Sequence, residues 1–108
     1  MTAQEDIGQL QALEQNMQHL STQRQQFQAQ LVEVDSALLA LASSPDAYRI
    51  IGNLMVKAQS KDVQHELQEK KDVLGIRIKN IEKQEERLKS KADALRKDIL
   101  SGMKDDEA

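Results

Sequence analysis

Apolar side chains recur through the first part of the chain in alternating steps of three and four residues. One row reads Leu10, Met17, Arg24, Leu31 and Leu38; the other reads Leu13, Leu20, Phe27, Val34 and Leu41. This spacing gathers both rows on one helical stripe, the heptad pattern of a coiled coil. It predicts a helix over 4–43, about 60 Å long at a rise of roughly 1.5 Å per residue. Arg24 is the one polar member of the stripe. The simpler reading is that its stem packs while its head snorkels to water; the sharper one is a polar residue that sets register. Ser43-Ser44-Pro45-Asp46 must end the helix. Pro45 has no backbone N–H, and its ring drives Ser44 out of the α region.

The pattern then changes. Residues 47–59 hold two apolar and β-branched runs, Ala47-Tyr48-Arg49-Ile50-Ile51 and Leu54-Met55-Val56-Lys57-Ala58, on either side of Gly52-Asn53. A two-residue connection of this type signals a β-hairpin, because both residues tolerate the positive φ of primed turns. Alternation is imperfect: Ile50 adjoins Ile51, and Leu54, Met55 and Val56 are consecutive. Both faces of the ribbon therefore carry apolar side chains.

A second helix is expected over 61–103. Ser60 stands where an N-cap is wanted, and Asp62 brings negative charge to the first turn. The apolar row begins Val63, Leu67, Leu74 and continues Ile78, Ile81, Leu88, Ala92, Leu95, Ile99, with Glu85 interrupting it. Read as Lys70, Leu74, Ile78, it takes two successive steps of four. That is a stutter, and with Gly75 beside it predicts a bend or packing irregularity. The acidic tail, 104–108, reads as frayed.

Two amphipathic helices joined by a short ribbon can fold back on each other. Leu38 and Leu41 then approach Val63 and Leu67, and the start of the first helix approaches Leu95, Ile99 and Met103. The fold class predicted is mainly α, a single domain: a long antiparallel coiled-coil helical hairpin with one β-hairpin between the helices. A lone two-stranded ribbon with two apolar faces and two open edges is marginal in water and invites other chains. The expectation is that hairpins from several chains join into a sheet or barrel body with the helices as projecting arms. A hairpin merely folded over its own helices is the alternative.

Composition narrows the field further. In 108 residues there are no cysteines, one Phe, one Tyr, four Gly and one Pro, with 31% of residues charged. Scarce aromatics and breakers favour long helices over a compact globule. No thiolate chemistry or Cys-based metal site is available. His19 and His65 are distant in the chain, and His65-Glu66 opens an H-E-x-x-H pattern in which Glu69 replaces the second His. No phosphate-cradling loop or catalytic motif occurs, so neither an enzyme, a cofactor nor a metal is expected. The formal net charge of −3 disfavours nucleic acid as a general partner. The stretch from Arg77 to Lys97 is basic, but its interleaved acids and lack of aromatic platforms count against that use. No apolar run could span a bilayer and no signal peptide is visible, so a cytoplasmic protein is expected.

Three stretches resemble the β class of the prefoldin family. Tyr48-Arg49-Ile50-Ile51-Gly52-Asn53-Leu54-Met55-Val56-Lys57 resembles its Y-[KR]-x-x-G-x-[IL]-[ILM]-[VI]-[KR] hairpin. Val63-Gln64-His65-Glu66-Leu67-Gln68-Glu69-Lys70 is similar to the opening of its second helix, and Glu82-Lys83-Gln84-Glu85-Glu86-Arg87 to its E-[KR]-Q-E-x-[KR] run. The hairpin is the specific part; the other two are coiled-coil text. The α class carries two hairpins, and this chain has one candidate. The resemblance implies a heterohexamer of two α-type and four β-type subunits, with a β-barrel body and six arms. It also implies capture of unfolded polypeptides without ATP and their transfer to a group II chaperonin. The hairpin residues Tyr48, Ile50, Ile51, Gly52, Asn53, Leu54, Met55 and Val56 would serve assembly.

The arm tips are the candidate capture surface. Ile7, Leu10, Leu13 and Met17 come from the first helix, and Leu95, Ile99, Leu100 and Met103 from the second. Ile7 and Leu100 fall outside the seam rows, so exposure is expected of them first. Met17 and Met103 offer adaptable side chains. The alternative for all eight is ordinary packing in the seam. The rival function is a structural coiled-coil adaptor or tether without chaperone activity.

Overall fold

The computed structural model describes residues 2–107, with side chains described through Met103. Its elements are helix α1 (Ala3–Ala42), strands β1 (Asp46–Ile51) and β2 (Leu54–Gln59), and helix α2 (Ser60–Glu107). The chain is thus two long helices with an antiparallel hairpin between them. It divides into two compact units, one of Met1–Gln25 with Lys79–Ala108, the other of Gln26–Ile78.

Helix α1 starts on a capping box. The Thr2 hydroxyl accepts from the Glu5 N–H at 3.2 Å, and the Glu5 carboxylate accepts from the Thr2 N–H at 3.3 Å. Both donors would otherwise be orphaned at a helix start. The helix stops just before Ser43-Ser44-Pro45, where proline geometry requires it to stop.

In the Gln26–Ile78 unit, Val34, Leu74 and Ile78 are buried and Phe27, Leu31, Leu38, Leu41, Val63 and Leu67 are half-buried. The end of α1 is tied to the start of α2 through one carbonyl. Leu41 O accepts from Ser44 N (3.2 Å), Ser60 Oγ (3.2 Å) and Gln64 Nε2 (3.1 Å). Ser60 is therefore not the N-cap expected of it. It is the first helical residue, it is buried, and its hydroxyl helps close the C-terminus of α1 while accepting from Gln64 at 2.9 Å. A terminal carbonyl removed from water needs a partner, and the neighbouring helix supplies two.

The stutter expected near Gly75 is absent. Lys70 is exposed, whereas Lys71 is half-buried and its ammonium reaches Asp35 at 2.9 Å. With Lys71 in place of Lys70 the covered row runs Ser60, Gln64, Leu67, Lys71, Leu74, Ile78, in unbroken heptad phase with Ile81, Glu85, Leu88, Ala92, Leu95 and Ile99. The lysine stem covers the seam and its head leaves it sideways. Helix α2 is continuous through Gly75. It also continues to Glu107, past the Met103 boundary expected; fraying of 104–108 concerns side chains and a last residue outside those described.

In the other unit, Ile81 and Ala92 are buried, and Leu10, Leu13, Met17, Leu20, Leu88, Leu95 and Ile99 are half-buried. The two polar interruptions of the seam meet there. Arg24 Nε donates to Glu85 Oε1 at 2.7 Å, with only 28% and 22% of the two side chains exposed. Arg24 thus does not simply snorkel. It forms a polar layer across the seam, so the register-setting reading is the one the geometry supports. A second cross-helix pair joins Arg96 to Glu14 at 3.0 Å, with Asp93 on the same guanidinium.

Candidate functional site

The hairpin pairs in the register Asp46↔Gln59, Ala47↔Ala58, Tyr48↔Lys57, Arg49↔Val56, Ile50↔Met55, Ile51↔Leu54. Gly52 has φ of 60°, and no non-glycine residue has a positive φ. Only the first central residue is left-handed, so the turn is of the II′ kind, in which glycine holds the first position and Asn53 needs no special conformation.

Side chains alternate across the pleat, so the register defines two faces. Ala47, Arg49 and Ile51 share one face with Ala58, Val56 and Leu54. Its base is covered: Ala47 is buried, and the Arg49 guanidinium reaches Glu66 of α2 at 2.6 Å. Its tip is bare, with Ile51 and Leu54 exposed. Tyr48, Ile50 and Met55 share the opposite face and are all exposed, Ile50 at 75%. One ion pair lies on that face, Lys57 to Asp46 at 3.5 Å. The sheet has two strands, so both outer edges lack a partner among the described residues. The sequence expectation of apolar side chains on both faces therefore matches the placement of each hairpin residue.

The eight helix-end residues split into two sets. Leu10, Leu13, Met17, Leu95 and Ile99 are half-buried in the seam; Ile7, Leu100 and Met103 are exposed, Leu100 at 60%. The Glu14–Arg96 pair fixes the local antiparallel register. About two helical turns beyond it in each direction lie Ile7 and Met103, which sets them level. A shallow groove of about 490 Å³ opens beside the seam, lined by Ala12, Leu13, Ala94 and Leu95 with Gln9, Asn16, Lys91 and Asp98 at its margins. Leu13 and Leu95 thus serve the seam and line the groove.

Sequence reasoning passed over four exposed apolar residues: Val32 and Leu39 on α1, Val73 and Ile76 on α2. A signal for the first two was present. Ala29, Val32, Ser36, Leu39 and Ser43 repeat the three-four spacing on the side of α1 away from the seam. The stronger Leu-rich stripe masked it.

Among the described residues, no group of three potential ligands is placed to hold a metal, and no helix is long and apolar enough to cross a membrane.

A capped coiled-coil hairpin whose connector is an uncovered β-ribbon is the architecture of a chaperone subunit family. The family model described as "Prefoldin subunit" matches residues 4–105, and the chain belongs to that family. Within it the similarity is to β subunits. The prefoldin β subunit of Archaeoglobus fulgidus is 41% identical over 88 residues, covering 79% of this chain and 76% of that one. The β subunit of Methanothrix thermoacetophila is 34% identical over 103 residues, covering 93% and 86%. The crystal structure of the prefoldin β subunit from Thermococcus strain KS-1 superposes with a TM-score of 0.86 at 33% identity, covering 93% of this chain and 90% of that one. The family is one of chaperone subunits rather than enzymes, and its members assemble with other prefoldin subunits.

Proposed function

We propose that the chain is one of four β-type subunits in a heterohexamer with two α-type subunits, and that the complex is a cytoplasmic, ATP-independent holdase. In this reading Tyr48, Ile50, Ile51, Leu54, Met55 and Val56, with the Gly52-Asn53 turn, contribute to a shared β-barrel body. The helix ends capture unfolded polypeptide, which passes to a group II chaperonin. What carries capture is the pair of level, off-seam apolar positions at the open end of the helices: Ile7 on α1, Leu100 and Met103 on α2, all exposed. Leu10, Leu13, Met17, Leu95 and Ile99 lie behind them, half-covered, and add apolar lining where the seam opens.

An apolar side chain left in water beyond the seam contributes nothing to pairing and is available for contact. Several weak sites on one body gain avidity through effective concentration. The test replaces Ile7, Leu100 and Met103 by Ser together, in the assembled complex. Aggregation of a chemically unfolded protein is followed by light scattering. Suppression should fall several-fold while the mass of the complex is unchanged; full suppression by an intact complex refutes the assignment.

A further inference from the structure

Helix α1 runs from Ser36 to Pro45 without a charged residue. Its side away from the seam is nevertheless in water, with Val32 65% and Leu39 78% exposed. A soluble helix ordinarily places charge there. A second bare patch, Val73 and Ile76, lies on α2 in the same unit. The Asp35–Lys71 ion pair and the Arg77 guanidinium, 5.7 Å from the Phe27 ring centroid, bracket Val32 on one helix and Val73 and Ile76 on the other. The two patches therefore sit at one height above the hairpin.

We infer that the α1 patch (Val32, Leu39) is an interface that receives the α2 patch (Val73, Ile76) of a neighbouring prefoldin subunit. The inference rests on the assembly reading above and extends the shared surface from the hairpin up the helices. Three observations select this occupant. First, β1 follows α1 almost directly and β2 leads straight into α2. When the β1 edge of one ribbon pairs with the β2 edge of the next, α1 of one subunit is brought beside α2 of its neighbour. That contact is head-to-tail, as a closed ring requires. Second, the rims carry opposite charge. Glu33 flanks the α1 patch, whereas Lys70 and Arg77 flank the α2 patch at helical spacing from Val73. A copy of α1 facing α1 would set Glu33 against Glu33. Third, the charge-free run continues to the base of the hairpin, so the bare surface of α1 and that of the ribbon form one stretch of chain.

The chain contains no cysteine, so an introduced thiol is unique. Two versions of the full chain, Val32→Cys and Ile76→Cys, are mixed with a cysteine-free archaeal α-type prefoldin subunit. The assembled complex is isolated by size and then mildly oxidised. The expected product is the mixed Val32→Cys/Ile76→Cys dimer, in clear excess over either homodimer and absent when Ile50→Lys is added to both. In a parallel titration, Leu39→Lys raises the concentration for half-assembly about tenfold, as loss of one buried leucine warrants, and Leu39→Glu raises it less because the facing rim is basic. An intact complex that yields no mixed dimer, or that prefers Val32→Cys homodimers, overturns this inference and leaves the hairpin reading standing. Failure of the parent chain to assemble at all overturns both.

Discussion

Truncation of Arg24 is the perturbation with the sharpest consequence for this seam. Its guanidinium and the Glu85 carboxylate lie 2.7 Å apart, and each side chain is about three-quarters covered at 28% and 22% exposure. Two unit charges at about 4 Å attract by roughly 4 kcal/mol at an effective dielectric near 20, most of which offsets their desolvation. Arg24→Leu removes the attraction and leaves Glu85 half-covered without its partner. A fully buried orphan costs about 3–5 kcal/mol. Access to water through the remaining exposure reduces this to about 2 kcal/mol. Glu85→Leu orphans Arg24, whose longer stem reaches water more readily, and costs about 1 kcal/mol. The double variant restores an apolar layer and should be neutral or stabilised by about 1 kcal/mol, because well-packed apolar replacements of ion pairs are tolerated. The assay is a double-mutant cycle in urea at one fixed chain concentration, since assembly makes the midpoint concentration-dependent. A coupling of about 3–4 kcal/mol is expected between the two sites. Additive single effects, or an Arg24→Leu variant as stable as the parent, would refute the polar layer and restore the snorkelling arginine.

Three further outcomes follow from other contacts. Gly75→Ala should stabilise the chain by about 1 kcal/mol, because Gly75 lies within α2 and an added Cβ meets nothing within 4 Å; a lowered unfolding midpoint would show that the helix needs glycine there. Ser60→Ala should cost about 1–2 kcal/mol in the same assay, since it removes one of the three bonds to Leu41 O and a partner of Gln64; no loss would mean that water replaces the hydroxyl at the helix junction. Ile50→Lys should leave helical content by circular dichroism unchanged, because the side chain is 75% exposed, yet abolish the complex in sedimentation velocity; a full-sized complex would exclude the bare face of the ribbon from assembly.

Much of the architecture was legible along the chain because its determinants are local or periodic. The rows Leu10–Leu38 and Leu13–Leu41 mark one side of α1, Pro45 ends it, and Gly52-Asn53 turns the ribbon. Heptad spacing, ring geometry and left-handed φ act over a few residues, so they can be read without knowing what lies opposite. The off-seam positions of Ile7 and Leu100 were visible on the same ground. The capping box at Thr2 and Glu5 was equally local and was passed over.

What the tertiary structure alone decided depends on partners distant in sequence. That Lys71 rather than Lys70 carries the seam follows from Asp35 standing across from it. The same holds for Arg24, whose partner Glu85 is 61 residues away, and for Ser60, whose hydroxyl faces the end of α1 instead of the start of its own helix. A residue type states what a side chain can bond to. Which bond it makes is set by the neighbour that folding brings within about 3 Å, and no periodicity encodes that neighbour.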